Sequence, residues 1–280
     1  MLRLLHVANG HCTMRLIEAA GLPGRVSIWA DPLYDGPIPA SLSDDEWIRA
    51  RARFHTPDNE SPDTAEADFR QWRAVIDDHG AYDELVLWFE HDLFDQLILL
   101  QILSRVGRER PVAKPISLVS VDAYPGHPDF KGLGELQPAD IAALFEQRMR
   151  VTPAQLALAA EAWDTFREQD AEQLRAFLRR DTSALPFLAP ALERYLEERP
   201  APDDGLTRSE RRLLAQLESG PLDIHTAWRG MHEGEQAYYI TGTSFMELIT
   251  RLASRSPALI DVSLRGGDGP LPHGTLTLHS

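Results

Sequence analysis

Short apolar runs recur through the first half of the chain, each followed by a longer amphipathic stretch, and this alternation constrains the fold more than any other feature of the sequence. Runs rich in Val, Leu, Ile and aromatic residues span Arg3–Ala8, Arg25–Ala30, Glu84–Phe89 and Ile116–Val121. Helical stretches separate them: Thr13–Ala20, closed by Gly21; Asp44–Phe54; Thr64–Asp77; and Leu93–Val106. Strands separated by helices pair in parallel through right-handed crossovers rather than as hairpins. The expected fold class is therefore α/β, with a Rossmann-like, mainly parallel sheet over residues 1–135.

From Pro138 to Arg199 the pattern is helix alone: Pro138–Gln147, Thr152–Glu168, Ala171–Arg179 and Pro190–Glu198. Thr152-Pro153 is a start signal, a capping threonine followed by proline at the first helical position. Residues 136–203 are expected to form a helical segment packed on the sheet and ending in a linker. The stretch Arg199-Pro-Ala-Pro-Asp-Asp-Gly205 cannot continue a helix. Beyond it, Thr207 and Glu210 have the spacing of a capping box before a helix to Leu217, with Gly220 ending it. Residues 222–231 and Thr243–Ser254 read as two more helices, and Ala258–Val262 with Gly274–Leu278 as a β-ribbon. That order predicts a small winged-helix-like α+β C-terminal domain over 204–280.

Charge narrows the choice of partner. The 280 residues carry 28 Lys and Arg against 43 Asp and Glu, a formal charge of −15, which repels nucleic acid and anionic membranes at long range. From Leu206 onward the balance is close to even, so the acidity belongs to the first 205 residues. No apolar run approaches the ~20 residues of a membrane helix, and no signal peptide is visible at Met1–Gly10, so a cytoplasmic location and no membrane partner are expected. The single cysteine, Cys12, excludes an intrachain disulfide framework.

In a parallel sheet, ligands bind beyond the carboxyl ends of the strands. Three strand ends carry unusual polar residues, which are expected to share one cleft. The first is Asn9-Gly10-His11-Cys12, a tight turn with glycine at positive φ, opening a helix N-terminus that either takes an anion or is simply a strand-to-helix turn. No dinucleotide fingerprint or Walker loop is present. Cys12 beside His11 is either a nucleophile or an inert thiol. The second end is Asp31-Pro-Leu-Tyr34-Asp35-Gly36-Pro37, whose two carboxylates either bind ligand or cap local backbone. The third and densest is Glu90-His91-Asp92-x-x-Asp95-Gln96. There Asp92 is a natural N-cap and Asp95 lies near the reciprocal position. Glu90 and His91 have no such local role, and a carboxylate beside an imidazole suits proton transfer or cation binding.

With Asp31, Asp35 and Asp122 nearby, this cleft would be strongly negative and would call for a divalent cation, Mg or Mn, held by Glu90 and Asp92. The catalytic candidates are Glu90, His91 and Asp92; the ligand-binding candidates are Asn9, Gly10, Asp31, Asp35, Gly36 and Asp95. The loop Pro125–Gly134, with His127 and Lys131, either closes over the cleft or merely connects elements. Arg208, Arg211, Arg212, Arg251 and Arg255 either contact phosphates or pack internally.

The motifs Asn9-Gly10, Trp29-Ala-Asp31-Pro-Leu-Tyr-Asp-Gly-Pro37, Leu87-Trp-Phe-Glu-His-Asp-Leu-Phe-Asp-Gln-Leu97 and Phe130-Lys-Gly-Leu-Gly134, in that order, resemble the bacterial domain-of-unknown-function 1835 family. Leu206-Thr-Arg-Ser-Glu-Arg211 and Gly242-x-Ser-Phe245 are similar to the domain of unknown function 3658 that often accompanies it. The resemblance implies architecture rather than a reaction. Asp31, Gly36, Glu90, Asp92 and Asp95 match the family pattern. His11-Cys12 stands where members commonly read Asp-Ser, which moves the emphasis to the second and third strand ends.

Two functions compete on this reading. One is a metal-dependent phosphoryl-transfer or phosphodiester-hydrolysing enzyme, or a binder of a small anionic or nucleotide-like ligand. The other is a ligand-sensing regulator whose C-terminal domain contacts DNA or a protein. A protein-interaction scaffold with an inert cleft is the third alternative. The sequence leaves open whether the chain is an enzyme and what its oligomeric state is.

Overall fold

The computed structural model describes residues 2–57, 60–108, 114–267 and 271–279. The chain forms two compact units, Met1–Leu192 and Glu193–Ser280.

The first unit is mixed α/β. Its strands are β1 (Leu4–Ala8), β2 (Arg25–Ile28), β3 (Glu84–Trp88), β4 (Ile116–Val119) and β5 (Met149–Arg150), in the order β2-β1-β3-β4-β5. The first four pair in parallel. Their helices are α1 (His11–Ala19), α2 (Asp44–His55), α3 (Asp63–Asp77), α4 (Leu93–Val106), α5 (Pro138–Glu146), α6 (Pro153–Arg167) and α7 (Ala171–Leu178); α8 (Leu188–Glu197) carries the division between the units. β1 is buried throughout and β3 from Leu85 onward, as expected of strands covered on both faces. Leu4, Ala8, Val86 and Trp88 alternate onto one face, where they pack with Ile17, Ile141, Leu144 and Phe145 of α1 and α5. α4 is apolar around most of its circumference because nearly all of it is buried.

Helix alone was expected between Pro138 and Arg199, yet β5 pairs there antiparallel to β4. Two exposed residues on a sheet edge carry no alternation that a sequence pattern can reveal. They are set in place by tertiary pairing, including a bond from the Val151 N–H to the Ile116 carbonyl at 2.8 Å.

The second unit contains α9 (Arg208–Leu217), β6 (Leu222–Asp223), α10 (Ile224–His232), α11 (Gly242–Ala253), β7 (Ile260–Gly266) and β8 (His273–Leu278), with an antiparallel sheet ordered β6-β8-β7. Thr207 and Glu210 form the capping box of α9. The proline-rich stretch before it lies within this unit and closes on itself: the Gly205 N–H bonds the Ala201 carbonyl at 2.9 Å and the Ala201 N–H that of Leu206 at 3.0 Å. Arg194 of α8 belongs here because it is buried against Glu235 at 3.0 Å, Ser209 at 3.2 Å, and Glu198. Among the described residues no helix is long and apolar enough to cross a membrane.

Candidate functional site

The pairing of Ala8 with Trp88 sets the carboxyl ends of β1 and β3 side by side. β2 lies on the far side of β1 and β4 on the far side of β3, so the crossovers diverge here, at the point where α/β sheets characteristically bind ligands. Asn9 and the segment Phe89–Asp95 meet there from neighbouring strands.

The Asn9 side-chain amide donates to Glu90 Oε2 at 2.5 Å and to Asp95 Oδ2 at 3.2 Å. The Leu133 N–H donates to Glu90 Oε1. Asp92 caps α4 by accepting the Asp95 N–H at 2.9 Å. The Asp95 carboxylate does not return to the cap residue as in a capping box; it accepts the Glu90 N–H instead. Gln96 locks the same turn from the other side, donating to the Glu90 carbonyl at 2.6 Å.

Glu90, Asp92 and Asp95 thus each offer a carboxylate oxygen within 4.8 Å of the others. They are 3%, 9% and 0% exposed. Among the described residues no lysine or arginine pairs with any of them. Burial, with the Asp92 and Glu135 charges beside it, pushes the Glu90 carboxyl up to about 7 against the pull of its hydrogen bonds. Burial and then the Asp95 charge raise Asp92 well above the ordinary carboxylate range; burial and the Glu90 charge do the same for Asp95. Asp95 Oδ1 is sealed from solvent with no hydrogen-bond partner. Three carboxylates, one of them with an unsatisfied buried oxygen, fit a divalent cation of the Mg, Mn or Ca type and not a thiophilic one.

Gly10 opens α1 without the positive φ expected of it. Its φ is 174°, extended backbone that any residue adopts. No side chain caps α1, no acidic residue stands in its first turn, and a Cβ at Gly10 would meet nothing within 4 Å. The N-terminus of α1 is therefore sterically open beside Asn9, where its N–H groups attract an anion.

The remaining candidates lie outside the carboxylate group. His91 packs its ring edge-on to Phe187 at 6.2 Å. Asp31 is 1% exposed and bound by the fully buried Arg51 of α2, whose Nη2 lies 2.5 Å from Oδ1 and whose Nε lies 3.1 Å from both oxygens. The same guanidinium donates to the carbonyls of Pro32, Asp35 and Pro37. Gly36 sits at φ 75°, and a Cβ there would come within 2.5 Å of the Phe54 ring. The second strand end is thus a loop stapled to α2, touching the third through Tyr34, whose ring lies edge-on to Phe94 at 6.3 Å. Cys12 and Asp122 are exposed. Of the loop Pro125–Gly134 it is the Gly132–Leu133 backbone that reaches the site, while His127 pairs with Tyr124.

Arg51 and the Leu133 amide had no mark in the sequence. The first is one arginine among 26, and the second is a backbone group. Compared with known proteins, the chain matches no family model and no curated protein.

Proposed function

We propose that this protein holds a divalent cation, Mg or Mn, on Glu90, Asp92 and Asp95. Through it the protein binds a small anionic, nucleotide-like ligand for phosphoryl transfer or phosphodiester hydrolysis. The observation that carries this reading is the Asp95 carboxylate, wholly buried among two other carboxylates with one oxygen unsatisfied. Such a group persists only if it is protonated or neutralised, and among the described residues no lysine or arginine pairs with it.

A bound cation would polarise a phosphoryl oxygen and activate water. Asn9 orients Glu90 and Asp95, and the open N-terminus of α1 takes the anionic end of the ligand. His91, on the turn between two of the carboxylates, is the candidate proton carrier. Asp31, Asp35 and Gly36 build the neighbouring wall. A Rossmann-like layout of the first unit, with the site at its switch point, agrees with this assignment. So does the resemblance to the domain-of-unknown-function 1835 family, whose pattern includes the three converging carboxylates.

Thermal shift with Mg²⁺, Mn²⁺ and a nucleotide panel tests the reading. The wild type should be stabilised by cation and Glu90→Gln should not. Absence of any cation shift in the wild type overturns it.

A second reading, a ligand-sensing regulator, is favoured by the order helix, strand, two helices and hairpin in the second unit, with sheet order β6-β8-β7. That order supports a winged-helix-like reading of the unit. Its arginines are engaged internally: Arg211 with Asp204, Arg212 with the Gly230 carbonyl, Arg251 with Glu210 and Arg255 with the Gly205 carbonyl. On this reading the partner is a protein rather than DNA.

A further inference from the structure

The groups around the three carboxylates come from the ends of β1 and β3 except at one place, where the backbone of Gly132 and Leu133 reaches Glu90 from 43 residues further along the chain. We propose that Gly132–Leu133 is the positioning element of the cation site, so that cation binding and the seating of the strap Phe130–Leu136 are coupled. This rests on the cation reading above, which the unsatisfied, fully buried Asp95 Oδ1 supports independently of the strap.

Glu90 meets two fixed N–H donors, Asn9 on Oε2 and the Leu133 N–H on Oε1, and its carboxyl group also contacts that of Asp95. Groups that pin a ligand carboxylate in this way typically account for about 10–100-fold in metal affinity. The Gly132 backbone is extended, at φ 169° and ψ 169°, so its conformation does not demand glycine. Its contact does. A Cβ would stand 2.9 Å from Glu90 Oε1 and 3.1 Å from Cδ, so a side chain at 132 would push the carboxylate from its present position. At Gly134, two residues on, an added Cβ would meet only the Cys12 Cβ at 3.4 Å, an ordinary contact.

Phe130, Leu133 and Leu136 seat the strap in the core, and the Lys131 N–H closes it onto Glu135 at 3.2 Å. Its polar tie to the strand ends is the Glu90 bond. A coordinated cation holds the Glu90 carboxylate in one orientation, and that orientation presents Oε1 to Leu133. By linkage, whatever seats the strap tightens cation binding, and the reverse. None of the three carboxylates is more than 9% exposed, so entry of a cation displaces part of what covers them, and the strap is one such part.

The test uses Mn²⁺ as probe, with binding followed by electron paramagnetic resonance and amide exchange at Leu133 followed by mass spectrometry. Gly132→Ala should bind Mn²⁺ at least tenfold more weakly than the wild type, Gly134→Ala should bind within twofold of it, and Mn²⁺ should slow Leu133 exchange at least fivefold in the wild type. Equal Mn²⁺ affinity in Gly132→Ala, or unchanged Leu133 exchange in a Mn²⁺-loaded wild type, overturns the coupling and leaves the cation site standing. Failure of the wild type to bind Mn²⁺ overturns the site and the coupling together. The exchange measurement needs no variant, so it decides the matter even if Gly132→Ala does not fold.

Discussion

Asn9 Nδ2 lies 2.5 Å from Glu90 Oε2, a bond between residues 81 positions apart that ties the end of β1 to the end of β3. It is possible because the two strands pair in register up to Ala8 and Trp88, which brings the segments that follow them, Asn9 and Phe89-Glu90, together. The same amide also reaches Asp95, so one side chain orders two of the three carboxylates.

Replacing Asn9 with Ala removes the donor that both acids share. Loss of a hydrogen bond to buried carboxyl groups costs about 1–3 kcal/mol, which urea denaturation at pH 7 measures. Asn9→Asp should be worse without cation, because it adds a fourth carboxyl group, and should recover more than the wild type gains when Mn²⁺ is added.

The raised Glu90 carboxyl sets a direction for the pH dependence of stability. Between roughly pH 4.3, where an unfolded glutamate titrates, and about 7, the folded chain holds more protons than the unfolded one. Stability of the cation-free protein in chelator should therefore be greatest below that window and fall as pH rises through it, Asp92 and Asp95 acting in the same sense. Glu90→Gln should flatten the profile. Excess Mg²⁺ should raise the wild-type values most at the alkaline end.

Arg51→Met leaves Asp31 buried without its partner. Breaking a buried pair in this way typically costs about 3–5 kcal/mol. Asp31→Asn should also destabilise, yet its response to Mn²⁺ should match the wild type, because Arg51 and not a cation neutralises Asp31. A lost Mn²⁺ response in a folded Asp31→Asn would return Asp31 to the site.

The full chain should show no salt-sensitive retention on immobilised duplex DNA at about 50 mM salt. The pairing of Arg211 with Asp204 and Arg251 with Glu210, and the Arg212 bond to the Gly230 carbonyl, leave few unpaired cations to release counterions from phosphates. Retention that Arg211→Ala or Arg251→Ala abolishes would favour a DNA-contacting regulator.

The helices and the four parallel strands were legible because each has its own period and its own punctuation, as at Thr152-Pro153, Thr207 and Gly220. Glu90 and His91 stood out as polar residues at the end of an apolar strand with no local role, whereas Asp92 and Asp95 read as an N-cap and its near-reciprocal partner. Asp31 also stood out at a strand end and is spoken for, since its partner Arg51 lies on a helix 20 residues on and nothing in the spacing announces a bond between them. β5 was too short to show a period.

By itself, then, the sequence determined that the first half builds a mainly parallel sheet and that its polar residues gather at the strand ends, because strand alternation and helix periodicity act over a few neighbouring residues. The tertiary structure decided which acids meet. Strand order puts β1 beside β3, and that neighbourhood brings Asn9, Glu90, Asp95 and the Leu133 amide together while Arg51 claims Asp31. Such pairings depend on which strands are adjacent and on backbone groups common to every residue, and no local pattern encodes either.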